Sequence, residues 1–129
     1  MSDSKFVTPA KVTRGLGASK TGTSHHIRQR VSALALIVLV PWFLFSVMKA
    51  ALGGYADAVA WVSSPLNATL LVLTAGAAFY HMRLGMQAII EDYISKPGTR
   101  AALLILNTFF AACLLVVVVM SVLRIWTGS

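Results

Sequence analysis

The stretch AALLILNTFFAACLLVVVVMSVL, residues 101–123, runs for 23 residues without a charged side chain. Two more such stretches precede it, residues 31–48 with 18 residues and residues 58–82 with 25. A helix needs about 20 mostly apolar residues to cross a hydrocarbon core about 30 Å thick. Because lipid offers the backbone no hydrogen bonds, each crossing is expected to be helical. The three stretches therefore predict an all-α integral membrane protein with three transmembrane helices.

The composition supports the same class. The 129-residue chain is 57% hydrophobic and 12% charged, whereas an average soluble domain is about 25% charged. So small a polar fraction cannot enclose three apolar helices in water, and disorder is excluded because disordered chains are poor in apolar residues. The single cysteine, Cys113, excludes an internal disulfide and a multi-cysteine metal site.

Glycine and proline mark the ends of the predicted helices. Gly53 and Gly54 are expected to end the first helix, residues 55–62 to form a short amphipathic connector, and residues 95–99 to form the second turn. The predicted organisation is a basic cytoplasmic N-terminal arm at 1–22 and a three-helix membrane anchor domain at 23–129, with spans at about 30–52, 65–94 and 99–126.

The basic residues predict the orientation in the membrane, since an excess of Lys and Arg marks the cytoplasmic side. Lys49 alone lies between the first two charge-free stretches, and Arg124 alone follows the third. Apart from Arg83 in the second helix, the other basic residues precede the first stretch or lie between the second and the third: Lys5, Lys11, Arg14, Lys20, Arg28, Arg30, Lys96 and Arg100. We therefore expect a cytoplasmic N-terminus and a periplasmic C-terminus. The net charge of +7 is then a topology signal that meets anionic lipid, and no nucleic acid partner is expected.

One histidine is predicted to lie inside the bilayer. His81 precedes Asp92 by eleven residues, which is about 16 Å along a helix and nearly three full turns, so the two share a face. Ionisable residues at this depth are costly and usually functional. A neutral imidazole there can hydrogen-bond a neighbouring helix, relay protons, or ligate a metal or haem iron. Gly85, one turn further, lets a flat macrocycle or another helix approach the backbone.

The cytoplasmic end of the same helix carries Asp92 and Tyr93. A carboxylate and a phenol at the membrane surface can hold a polar carbonyl headgroup while its tail remains in lipid. Tyr93 also fits an interfacial belt residue. Arg83 points to nearly the opposite face from His81, and we expect it to snorkel towards the headgroups.

The spacing of His81, Gly85, Asp92 and Tyr93 resembles that of the hydrophobic membrane anchor subunit of bacterial succinate dehydrogenase, respiratory complex II. That family carries a His, a Gly four residues later, and an Asp-Tyr pair at +11 and +12 in its second helix. Its first helix begins with an arginine followed by small and apolar residues, and Arg30 with the Val-Ser-Ala that follows is similar. The resemblance covers roughly residues 23–128.

The resemblance implies a cofactor site. His81 would be one axial ligand of a haem b iron, and hence the metal-binding residue of this chain, with Gly85 clearing room for the porphyrin. The second ligand would come from a three-helix cytochrome b subunit packed against this one. Arg30 would lie near the haem propionates and the quinone pocket, and His26, next to His25, is the candidate for a further propionate contact.

The resemblance also implies a substrate site and a function. Tyr93 would donate a hydrogen bond to a ubiquinone carbonyl, with Asp92 supporting it. The chain would anchor the flavoprotein and iron–sulfur subunits in the bacterial inner membrane, as a multi-pass subunit of succinate:ubiquinone oxidoreductase in the respiratory chain and tricarboxylic acid cycle. No succinate chemistry and no catalytic residue are expected on this chain, because it lacks a cysteine set for an iron–sulfur cluster and a dinucleotide fingerprint.

Two other functions remain open at the level of sequence. One is the anchor subunit of a menaquinone-linked fumarate reductase, which would run the reaction in the other direction. The other is a membrane scaffold or transporter component without a cofactor, in which His81 packs by hydrogen bonding. An optical spectrum with a reduced b-type α-band distinguishes the cofactor-binding subunits from the scaffold.

Overall fold

A computed structural model describes residues 20–128, with side chains from residue 23 onward. These residues form four helices, which we number α1 (Lys20–Gly53), α2 (Tyr55–Ser63), α3 (Pro65–Tyr93) and α4 (Pro97–Thr127). The all-helical prediction is confirmed over this part of the chain. The predicted N-terminal arm at 1–22 lies outside the described residues, apart from residues 20–22, which already belong to α1.

The first helix begins at Lys20, about ten residues ahead of the membrane span predicted at about 30–52. It spans 34 residues, or about 51 Å at 1.5 Å per residue, well beyond the thickness of a hydrocarbon core. The helix continues into polar sequence because its hydrogen bonds join backbone groups and do not depend on apolar side chains. Pro41 lies inside this helix without ending it.

A short helix follows at the predicted connector. Gly54 has a φ of 86°, a left-handed conformation that glycine adopts without steric cost. A Cβ on Gly53 would overlap the side chain of Asp57, so both glycines suit this corner. The rings of Trp42 and Trp61 lie 5.7 Å apart, centroid to centroid, and tie α2 to α1.

The corner between α2 and α3 bends by 88°. Pro65 occupies the first turn of α3, where its missing N–H costs nothing. The side-chain amide of Asn67 donates to the backbone oxygen of Trp61 over 3.1 Å and closes the corner.

The number of spanning helices follows from length and composition. Residues 23–53 of α1 and the whole of α4 are each long and apolar enough to cross a membrane by themselves. The bent pair α2 and α3 passes the same test only when it is taken together, since α3 carries His81, Arg83 and Gln87 in its second half. The described residues therefore contain two clear spans, and a third if the bent pair is counted as one.

Helix α3 occupies the centre of the arrangement. It contacts α1 on one side and α4 on the other, while α1 and α4 do not contact each other within residues 20–128. The turn into α4 is held by Arg100, whose Nε donates to the backbone oxygen of Ile94 over 2.9 Å. Helix α2 lies across one end and contacts all three longer helices.

Little of this bundle is shielded from its surroundings. The buried hydrophobic residues are few, and Leu84 on α3, at 2% exposure, is the only large side chain among the described residues that is fully buried. In the most apolar part of α1 and of α4, 6% of the residues are buried. Apolar surface of this extent belongs against lipid or another subunit, and it supports an integral membrane protein.

Candidate functional site

The contact between α1 and α3 is polar at the depth of His81. The Nδ1 atom of His81 lies 2.9 Å from the Oγ atom of Ser32, although the two residues are 49 positions apart in the sequence. Ser32 is 6% exposed, and His81 is half-buried. A side chain on the first helix therefore fixes one nitrogen of the imidazole ring.

The second contact of Ser32 decides which way the proton lies. Its Oγ atom also donates to the backbone oxygen of Gln29 over 2.9 Å. A hydroxyl has one proton to donate, and a carbonyl oxygen can only accept. Both contacts are satisfied together when Nδ1 of His81 carries the ring proton and donates it to Ser32. The Nε2 atom then has a lone pair, and it makes no hydrogen bond to any residue that the structure describes.

Gly85 stands one turn from His81 towards the C-terminal end of α3. A Cβ built there would meet no atom within 4 Å. The other glycine inside this helix, Gly76, would place its Cβ 3.9 Å from the side chain of Leu115 on α4. The space beside Gly85 is thus left open by the described part of the chain, next to a histidine with an available nitrogen. These features fit the axial ligation of a planar macrocycle such as haem.

A second set of polar contacts joins α3 to α4. The Nε atom of Arg83 donates to the Oγ1 atom of Thr108 over 3.1 Å. The side-chain amide of Asn107 donates to the backbone oxygen of Arg83 over 2.9 Å. Arg83 therefore faces α4 while His81 faces α1, as their spacing predicted, and its guanidinium is tied to α4 at Nε.

The C-terminal end of α3 is built differently. Tyr93 is 81% exposed, and Asp92 is exposed as well. Neither side chain makes a hydrogen bond or an ion pair within residues 20–128, whereas Glu91 beside them accepts a hydrogen bond from Gln87 over 2.9 Å. Asp92 lies eleven residues, or about 16 Å, along the helix from His81. The chain does not bring these residues to the histidine.

The basic residues of α1 fall on two sides of the helix. Arg30 and His26 are exposed, and Arg30 is rotated by about 200° from Ser32 at 3.6 residues per turn. His25 lies seven residues before Ser32 and so on nearly the same face. Its Nε2 atom is buried and has no hydrogen-bond partner among residues 20–128. The structure thus turns His25 inward and leaves His26 and Arg30 on the surface.

Residues 20–128 contain no cluster of three or more His, Cys, Asp or Glu side chains that could hold a metal ion. Haem iron differs from a bare ion, because the porphyrin supplies four of its ligands and the protein adds only axial ones. A single histidine can therefore serve as one axial ligand, and His81 is the residue predicted for that role.

Sequence reasoning did not single out Ser32, Gln29, Asn107 or Thr108. Ser32 and Asn107 each interrupt an apolar run, and buried polar groups almost always have a hydrogen-bond partner. That signal indicates that a partner exists. It does not identify the partner, which lies on another helix in each case.

Comparison with known proteins gives a consistent result. Residues 5–126 match the family described as succinate dehydrogenase/fumarate reductase transmembrane subunit. A succinate dehydrogenase hydrophobic membrane anchor subunit from Paracoccus denitrificans is 31% identical over 97% of this chain and 96% of its own length. Proteins of the same name from Rickettsia bellii and Rickettsia prowazekii are 30% and 31% identical, over 84% and 85% of this chain and 87% and 86% of their own. No solved structure matches the chain.

Proposed function

The chain belongs to the succinate dehydrogenase/fumarate reductase transmembrane subunit family, as a hydrophobic membrane anchor subunit, and from that membership we propose how it serves the complex. It anchors the soluble subunits of a succinate:ubiquinone oxidoreductase in the bacterial inner membrane. It supplies one axial ligand of a haem b through His81 and contributes Asp92 and Tyr93 to the site where ubiquinone is reduced. Succinate itself is oxidised on other subunits.

The observation that carries this proposal is the state of His81. Its Nδ1 atom is engaged by Ser32, its Nε2 atom has no hydrogen bond among the described residues, and Gly85 leaves space one turn away. A metal-ligating histidine typically donates its other ring N–H to a hydrogen-bond acceptor, which fixes the tautomer and the ring orientation. A haem held there would supply one-electron redox chemistry.

The quinone site is proposed at the exposed end of α3. Tyr93 donates its phenolic proton to a quinone carbonyl, and Asp92 orients the phenol or passes protons from water. Reduction of a quinone takes two electrons and two protons, and a site at the cytoplasmic surface has water at hand. Arg30 balances a propionate charge at the same rim, and His26, or the inward-turned His25, adds a second contact there.

The remaining parts of the site are assigned to partner subunits. This chain has one cysteine, so the electrons arrive through an iron–sulfur subunit from a flavoprotein subunit. Helix α3 is flanked by α1 and α4, and its remaining sides are available to a three-helix cytochrome b subunit that brings the second axial ligand.

The proposed topology has three spans, with the bent pair α2 and α3 forming the second. The N-terminus and the turn before α4 face the cytoplasm, since the basic residues concentrate there. A reporter that is active only in the periplasm, fused after residue 129, is expected to give a signal. Activity from a reporter that works only in the cytoplasm would reverse the orientation and move the quinone site to the other side.

An optical experiment tests the cofactor. The purified complex is expected to show the α-band of a reduced b-type haem. His81→Ala removes one axial ligand while the second ligand and the propionates can still retain the haem, so the spectrum and the midpoint potential are expected to change even where haem content does not. An unchanged spectrum and potential would exclude His81 as a ligand.

One observation also fits a second candidate. The Ser32–His81 hydrogen bond is what a scaffold or transporter component without a cofactor would use to join α1 and α3. In that case the purified complex lacks the α-band, and His81→Ala lowers stability without any spectroscopic change. The family description also includes fumarate reductase, and the rates of succinate oxidation with ubiquinone and of fumarate reduction with menaquinol compare the two directions.

A further inference from the structure

We infer that Ser32 is a positioning residue for the haem ligand: it fixes His81 in the Nδ1-protonated tautomer and so directs the lone pair of Nε2 to the iron. This inference rests on the proposed role of His81 as an axial ligand. It adds a residue on a different helix to the site, and it gives a reason for a buried serine in an otherwise apolar segment of α1.

The geometry restricts the hydroxyl to one arrangement. Ser32 has two polar neighbours, the backbone oxygen of Gln29 and the Nδ1 atom of His81, each at 2.9 Å. If Nδ1 lacked a proton, the single hydroxyl proton would have to serve both neighbours, and one contact would be left with no proton between its two atoms. Protonation at Nδ1 satisfies both. Because the hydroxyl proton of Ser32 is donated to the Gln29 carbonyl, its oxygen is left to accept the proton of Nδ1 of His81.

Burial strengthens the effect. Ser32 is 6% exposed, so water does not readily replace it as the acceptor for the ring N–H. An imidazole N–H that loses its acceptor in such a place leaves a buried donor unpaired, which is unfavourable. The ring would then rotate, which turns Nε2 away from the iron, or change tautomer, which places the proton on Nε2. In either case the lone pair of Nε2 is no longer directed to the iron.

The hydrogen bond also has an electronic consequence. A ring N–H that donates to an oxygen makes the opposite nitrogen a stronger base. A more basic axial ligand stabilises ferric iron over ferrous iron, so loss of the bond is expected to raise the midpoint potential. Removal of a distant serine from the same helix would not have this effect.

The chain offers a matched control. Ser46 also lies on α1, is 8% exposed, and stands fourteen residues from Ser32, which is about 21 Å along the helix. The variants are Ser32→Ala, which deletes the acceptor, Ser32→Thr, which keeps the hydroxyl, and Ser46→Ala. Each is made in the complete complex, and the readouts are the haem midpoint potential, the electron paramagnetic resonance signal of the ferric haem, and haem content.

We expect Ser32→Ala to raise the ferrous-to-ferric ratio, measured at the wild-type midpoint potential, by about threefold, within the range of one neutral hydrogen bond. The ferric signal should shift as the ring reorients. Ser32→Thr keeps the hydroxyl and should show the wild-type potential and ferric signal. Ser46→Ala should leave both unchanged. A Ser32→Ala complex with the potential and ferric signal of wild type would overturn the inference, as would equal changes in Ser46→Ala.

Two further measurements keep the outcome decisive. If Ser32→Ala does not assemble, Ser32→Cys keeps the size of the side chain and offers only a weak acceptor, so it should show the same shifts. His81→Ala separates this inference from the proposed function. If His81→Ala alters the spectrum while neither Ser32→Ala nor Ser32→Cys shifts the potential, His81 is a ligand and Ser32 does not position it. If His81→Ala changes nothing, the ligand assignment itself fails.

Discussion

Two regions of α3 share one helix and differ in how much of their surroundings this chain provides. At the level of residues 81–85, which we call the inner level, Ser32 on α1 contacts the imidazole of His81. At the same level, Asn107 on α4 donates a hydrogen bond to the backbone oxygen of Arg83. At the level of residues 91–93, Asp92 and Tyr93 are exposed, and their side chains make no polar contact within residues 20–128.

The difference indicates which subunit completes each site. A haem ligand must hold a fixed ring orientation, and Ser32 supplies such support to His81, the proposed ligand. The residues proposed for quinone binding have no polar contact within residues 20–128, so we expect partner subunits, lipid or the quinone itself to set their positions. Substitutions at residues 81–85, the inner level, are therefore expected to change the haem spectrum, potential or content. Substitutions at residues 91–93, the outer level, are expected to change the rate of quinone reduction.

The largest effect is expected from Tyr93→Phe, which keeps the ring and deletes the hydrogen-bond donor. Succinate–quinone activity of the complex should fall about 10- to 100-fold, the range for a lost hydrogen bond to a charged group. Succinate oxidation with an artificial acceptor that takes electrons from the soluble subunits should be nearly unchanged. Quinone reduction at the wild-type rate would reduce Tyr93 to an interfacial belt residue and assign the pocket to the partners.

The neighbouring carboxylates sharpen the same comparison. Asp92→Asn should lower quinone reduction while the artificial-acceptor activity is retained, because the carboxylate orients the phenol or delivers protons. Glu91→Gln is the matched control, since Glu91 is already paired with Gln87 on its own helix. Equal losses in the two variants would mean that general surface charge, and not Asp92 itself, supports the reaction.

The inner level is tested by adding a single methyl group. A Cβ at Gly85 meets nothing in this chain, and alanine favours a helix over glycine by about 1 kcal/mol, so Gly85→Ala should not destabilise the subunit itself. If the macrocycle packs there, haem content of the purified complex should fall severalfold. Gly76→Ala, whose Cβ makes an ordinary 3.9 Å contact, should keep its haem. Full haem content in Gly85→Ala would place the porphyrin elsewhere.

The smallest effect is expected on the α4 side of α3. Asn107→Leu removes the hydrogen bond to the backbone oxygen of Arg83, which should lower the stability of the complex by about 1 kcal/mol. Thermal unfolding in detergent measures this loss. The haem spectrum should not change, because the contact lies on the opposite side of α3 from Ser32. A haem shift as large as that of Ser32→Ala would show that the two sides are coupled.

Several features of the fold and site were readable from particular residues. Gly53 and Gly54 indicated the end of α1, and the spacing of His81 and Arg83 indicated opposite faces of α3. Hydropathy gave the span at about 30–52 and not the full length of α1, which begins at Lys20, because a helix can extend beyond its apolar part. The inward turn of His25 relative to His26 was also hidden, since one helical step of about 100° separates them and the residues around them are polar on both faces of the helix.

The sequence by itself determined that the chain is an α-helical membrane protein, and its motif carried the resemblance that the family match then confirmed. Hydropathy and short-range spacing suffice for these conclusions, because both depend on residues close together in the chain. Only the tertiary structure decided that Ser32 meets His81 and that Asn107 meets the backbone of Arg83. Such pairs depend on the rotation of each helix about its axis and on its vertical offset from its neighbour, and helices that are apolar on all sides carry no pattern that fixes either.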